Sequence, residues 1–143
     1  QAIATYARAL LVGGDPVAAE KILREVLDDH LEPALVRLYG DLTLPDALAP
    51  LDRAESWLRK YPQDPELLAA CARLALQAEL IGKARSYLEA SLARKASAEN
   101  SLLYAELLEQ LGEGDRARTV LRDSVARSVG RRPALPRVRL RRQ

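Results

Sequence analysis

Small and apolar residues recur along this chain with a helical period. Ala84, Tyr87, Leu88, Ser91 and Leu92 are spaced i, i+3, i+4, i+7 and i+8, which places them on one face of an α-helix. Ala117, Val120, Leu121, Ser124 and Val125 hold the same spacing 33 residues later. Ala19, Ile22, Leu23, Val26 and Leu27 hold it again, and Ala54, Trp57, Leu58 and Tyr61 hold it until Pro62 interrupts. Four stripes predict four helices of one kind.

A second helical segment and a break precede each stripe. "IATYARALLV" stops at "GGDP", where Asp15 is placed to cap and Pro16 to open the next helix. "PALVRLYGDL" runs into "TLPDALAP", with Pro50 placed as a helix start, and "PELLAACARLALQAEL" ends near Gly82. "AENSLLYAELLEQL" ends at "GEGD", where Asp115 can cap. Between units, "YPQDPE" stops one helix at Pro62 and starts another with Asp64 as cap and Pro65 as first residue.

Small residues mark fixed points in this pattern. Ala7, Gly40, Ala72 and Ala105 fall on the first helices, and Ala19, Ala54, Ala84 and Ala117 on the second. A side chain larger than methyl at such a contact would hold two helix axes apart. The large residues four positions on (Leu23, Leu58, Leu88, Leu121) are expected to fill the space between hairpins. A repeat near this length resembles the tetratricopeptide class. The expected fold is therefore all-α: a right-handed, tetratricopeptide-like solenoid of four helix hairpins over residues 1–128, with a basic tail over 129–143. One hairpin cannot bury its own apolar face, so copies must stack. The second unit carries two extra residues, expected in its turn, where insertion costs little.

Composition adds limits. The chain has 143 residues and no Phe or Met, so Leu, Ala and Val must build the core. A single Cys excludes an intrachain disulfide. The net charge of +2 conceals an acidic body and an arginine-rich end. The chain reads as a piece of something longer.

"LVRLYGDL" (35–42), "AESWLRKYPQDPELL", "LIGKARSYLEASL" (80–92) and "LLYAELLEQLG" together look like the C-terminal tetratricopeptide region of proteobacterial HemY proteins. The resemblance covers roughly residues 33–125. It implies a parent anchored in the bacterial inner membrane, with the repeat domain on the cytoplasmic side, linked to a late step of haem synthesis as an organiser of enzymes. An unrelated flavin-dependent oxidase shares that family name. This chain lacks the GxGxxG and strand pattern of such an enzyme.

Candidate chemistry is sparse. His30 is the only histidine, expected at a helix end, where partial positive charge suits the dipole. A haem axial ligand is its sharper reading, and it supports the rival function, a haem or porphyrin carrier. Cys71, among small apolar residues, reads as a buried hydrophobe. Tyr6, Tyr39, Tyr61, Tyr87, Tyr104 and Trp57 lie on apolar faces and read as core. No catalytic residue, metal site or cofactor is expected.

Surfaces remain. The residue after each first-helix small position, namely Arg8, Asp41, Arg73 and Glu106, is expected to face a concave groove. Arg37, Gln77, Glu109 and Gln110 are expected nearby, either as a plain solvated face or as a site for a mixed-charge protein partner. Chaperone-type family members grip a terminal carboxylate with Asn and Lys at the equivalent places, and this chain has neither there. Arg8, Arg37 and Arg73 are expected to make one end positive, Glu106 and Glu109 the other negative. The tail's Arg131, Arg132, Arg137, Arg139, Arg141 and Arg142 suit an anionic membrane surface. The acidic body argues against nucleic acid.

Overall fold

The computed structural model describes residues 2–130, and these fold as eight α-helices with no strand among the described residues. They are α1 (Ala2–Val12), α2 (Pro16–Leu27), α3 (Pro33–Gly40), α4 (Leu48–Lys60), α5 (Pro65–Gln77), α6 (Ile81–Arg94), α7 (Ala98–Gln110) and α8 (Gly114–Val129). The chain is all-α, as its periodicity predicts.

Local chemistry sets the boundaries. Asp15, Asp64 and Ser97 accept the N–H groups of Ala18, Leu67 and Asn100 at 3.2, 2.9 and 3.1 Å. Each satisfies a donor that the helix itself cannot. Three of the helix ends share one turn. Gly14, Glu79 and Gly112 have φ of 81°, 60° and 80°. The next N–H, of Asp15, Leu80 and Glu113, then donates to the carbonyl of Leu10, Ala75 and Leu108 at 2.8, 2.9 and 2.8 Å. This is the Schellman closure, which needs a left-handed residue after the helix. All three residues stand seven positions after their small residue, Ala7, Ala72 and Ala105.

That register corrects three expectations. The third unit turns at Glu79, and Gly82 lies inside the first turn of α6. Asp115 does not cap α8; the helix starts at Gly114, and Asp115 sits in its first turn, paired with Arg118. α4 starts at Leu48, whose N–H donates to Asp46 Oδ1 at 3.1 Å. Pro50 therefore falls within the first turn, where its missing N–H has no intrahelical acceptor to lose.

All eight small positions are buried. α1 packs on α2, α5 on α6 and α7 on α8, while α3 packs on α1, α2 and α5. A Cβ built on Gly40 would lie 2.9 Å from Ala70 Cα and 2.5 Å from Arg73 Nη2, so only glycine permits the approach of α3 to α5. The second unit departs from a tight hairpin. α3 has eight residues, residues 41–47 lead to α4, and α4 packs more on α5 than on α3. Leu42 is buried in that connection.

The larger core runs through α1 to α6 and includes Leu23, Leu35, Leu51, Leu67 and Leu74. Within it the Tyr39 and Trp57 rings meet edge to face at 4.7 Å. A smaller core joins Leu88, Tyr104, Leu107 and Leu108. Tyr6 does not join either: it is 58 % exposed, because α1 is covered on one side only. Tyr61 and Tyr87, like Leu58 and Leu121, are partly buried.

Candidate partner-binding surface

Polar contacts link each of α2, α4 and α6, or its cap, to the following unit. Asp28, at the end of α2, accepts from Trp57 Nε1 at 2.7 Å and lies 3.8 Å from Arg53. Glu55 on α4 accepts from Lys83 at 2.9 Å and from the Tyr87 hydroxyl. Glu89 on α6 accepts from Tyr104 at 2.5 Å and lies 3.5 Å from Arg116. Arg85 forks onto both oxygens of Glu113, at 2.5 and 3.1 Å. Burial would raise the Glu55 carboxyl, but hydrogen bonds from Tyr87 and Lys83 outweigh it and hold the group below the usual carboxylate range. Arg85 holds Glu113 down in the same way. Burial first, then Glu55 and Glu89, push the Tyr87 and Tyr104 phenols up.

This ladder was missed in the sequence although a signal for it is present. Arg53, Lys83 and Arg116 each stand immediately before a small residue, Ala54, Ala84 and Ala117. A base at that register meets the acid of the preceding even helix.

The odd-numbered helices carry the residues singled out above. Arg73 is only 17 % exposed; its Nε donates to Asp41 at 3.1 Å and its Nη2 to the Arg37 carbonyl at 3.0 Å. Arg37 donates to Glu66 at 3.1 Å. The expected positive strip is therefore largely compensated: two of its three arginines clasp α3 to α5, because the close approach at Gly40 brings Arg73 across the end of α3. Arg8, Gln77, Glu106, Glu109 and Gln110 are exposed and make no side-chain hydrogen bond or ion pair among the described residues. Gln77 and Gln110 fall at one register position, 33 residues apart. Among the described residues Glu106 and Glu109 form an acidic end with no ion-pair partner.

His30 lies beyond α2, in the link to α3, and does not end the helix. Its ring nitrogens meet Glu32 Oε1 at 2.8 Å and Asp29 Oδ2 at 3.1 Å. Those bonds, Glu32's first, raise its pKa. Cys71 is buried, and burial pushes its thiol up to about 12. Among the described residues no cluster of three or more His, Cys, Asp or Glu is placed to hold a metal, and no helix is long and apolar enough to cross a membrane. The six tail arginines, Arg131 to Arg142, lie outside the described residues. No family model matches the chain, and no curated protein matches it.

Proposed function

We propose that this chain is a non-catalytic, tetratricopeptide-like interaction scaffold, a right-handed solenoid whose odd-numbered helices offer the partner surface. One observation carries the reading: Glu106 and Glu109, one turn apart on α7, with Gln110 on the same helix, Gln77 on α5 and Arg8 on α1, are exposed and make no side-chain hydrogen bond or ion pair among the described residues. Solvent-facing polar groups with no structural duty are available to a partner, and charge there governs selectivity and association rate. The acidic α7 end favours a partner segment carrying Lys or Arg. By the resemblance stated above, the partners are enzymes of late haem synthesis, held near the inner membrane by a parent whose repeat domain is cytoplasmic and whose tail touches anionic lipid.

The test is direct binding of this chain to those purified enzymes. At least one should bind, and Glu106→Lys with Glu109→Lys should weaken it by ~10-fold or more. Glu25→Lys, on the exposed side of α2, should not. Equal loss from both charge reversals would remove the reading. A Soret shift with haemin that His30→Ala abolishes would favour the carrier instead.

A further inference from the structure

Each odd-numbered helix after α1 is covered by the even-numbered helix before it: α2 packs on α3, α4 on α5 and α6 on α7. Two register positions are buried in all three, one and four residues before the small residue. They lie three residues apart, on one helix face. The first is Tyr39, Cys71 or Tyr104, the second Val36, Leu68 or Ser101, and none is more than 5 % exposed. On α1 the same positions hold Tyr6 and Ile3, which are 58 % and 37 % exposed.

The tyrosines show what the covering helix supplies. Tyr39 donates to Glu20 on α2 at 2.8 Å, and Tyr104 to Glu89 on α6 at 2.5 Å. Each acid also meets an arginine four residues away on its own helix, Glu20 with Arg24 at 3.2 Å and Glu89 with Arg85 at 3.5 Å. In both helices this pair stands one and five residues past the small residue, Ala19 or Ala84. A fully buried leucine, Leu23 or Leu88, stands four past it. The remaining junction has Cys71 in place of tyrosine, and there Glu55 accepts from Tyr87 and Lys83 instead. Tyr6 makes no side-chain hydrogen bond among the described residues.

We propose that the Ile3–Tyr6 face of α1 is a further junction of this kind, built for a helix that stands ahead of α1 in the same polypeptide and brings the leucine and the Glu–Arg pair. In the three junctions described, the covering helix is the one that immediately precedes in the chain. A second copy of this chain does not fit. The open helix it would offer is α8, which exposes Val125 and Val129 and has Leu121 in place, but whose flanking positions are Arg118 and Arg122. α1 carries Arg8 and no acid. That contact would set like charges together and leave the Tyr6 hydroxyl without a carboxylate.

The experiment fuses a second copy of residues 1–32 to the N-terminus of the whole chain. Its Ala19 then stands 20 residues before Ala7 of the native part, within the 18 to 21 residues that separate the small residues across the native junctions. The fused chain should melt at a higher temperature than the native one. Tyr6→Phe at the new junction, or Glu20→Ala in the added copy, should each raise its unfolding constant ~10-fold, the loss of one hydrogen bond to a charged group. In the native chain Tyr6→Phe should change nothing, because there the hydroxyl faces water. An unchanged melting temperature on fusion, or a Tyr6→Phe effect equal in both chains, overturns the proposal. Self-association of the native chain that Tyr6→Arg abolishes assigns the face to a second copy and overturns it as well.

Discussion

Glu79 occupies a left-handed turn that two sister units give to glycine. A side chain in that conformation costs ~1–2 kcal/mol, and the chain entropy of glycine returns only part of it. Glu79→Gly should therefore stabilise the fold by about 0.5–1 kcal/mol, read as a higher melting temperature. A lower one would mean that this turn is not the Schellman closure of its sisters. Gly40 predicts the opposite sign. In an open helix Gly→Ala gains about 1 kcal/mol. Here the new methyl meets Ala70 and Arg73, and overpacking of that kind costs ~1–3 kcal/mol. Gly40→Ala should be less stable than the native chain, and a gain would refute the close approach of α3 and α5. The eight small positions were legible because close helix contact restricts side-chain size at fixed intervals. The turn at Glu79 was not, because its residue type hides its backbone, and the nearby Gly82 drew the boundary away.

Helix pairs are held by groups that the period alone does not relate. Glu55 links α4 to α6 through Lys83 and Tyr87. Its folded pKa lies below its unfolded value, so its contribution is complete above the unfolded pKa of ~4.3 and is lost as pH falls through the folded one. Glu113, held down by Arg85, has the same sign. The melting temperature should fall as pH drops from about 5 to 3, and Glu55→Gln should flatten that fall. An unchanged acid profile in the variant would show that the α4–α6 link does not depend on the charge. At neutral pH the same variant should lose about 1 kcal/mol, since Tyr87 and Lys83 keep only a neutral partner. The bases before each small residue were visible in the sequence. Their pairing was not, because it requires knowing which acids of the preceding even-numbered helix come within side-chain reach. Likewise Arg37 and Arg73 read as groove residues until the Gly40 contact turned them toward Glu66 and Asp41.

Burial is uneven over the whole molecule. α5 buries eight residues between Leu67 and Ala75, whereas α8 buries only Ala117 and exposes Val125 and Val129. Local opening follows buried contacts, so amide exchange should be fastest in α8 and slowest in α5, with α1 nearer to α8. Uniform protection would contradict an additive stack of neighbouring helix pairs. The all-helical architecture was legible in the 33-residue register, whereas its outward chemistry was not, because exposed polar residues obey no packing rule. The central claim is that the odd-numbered helices meet the partner, and site-specific photocross-linking in cells tests it most directly. A photoreactive residue would replace Gln77 or Glu109 on α5 and α7, and Glu25 or Arg59 on α2 and α4. The account predicts discrete protein adducts from Gln77 and Glu109, and none from Glu25 and Arg59. Adducts from the even-numbered helices, with none from the odd, would contradict it.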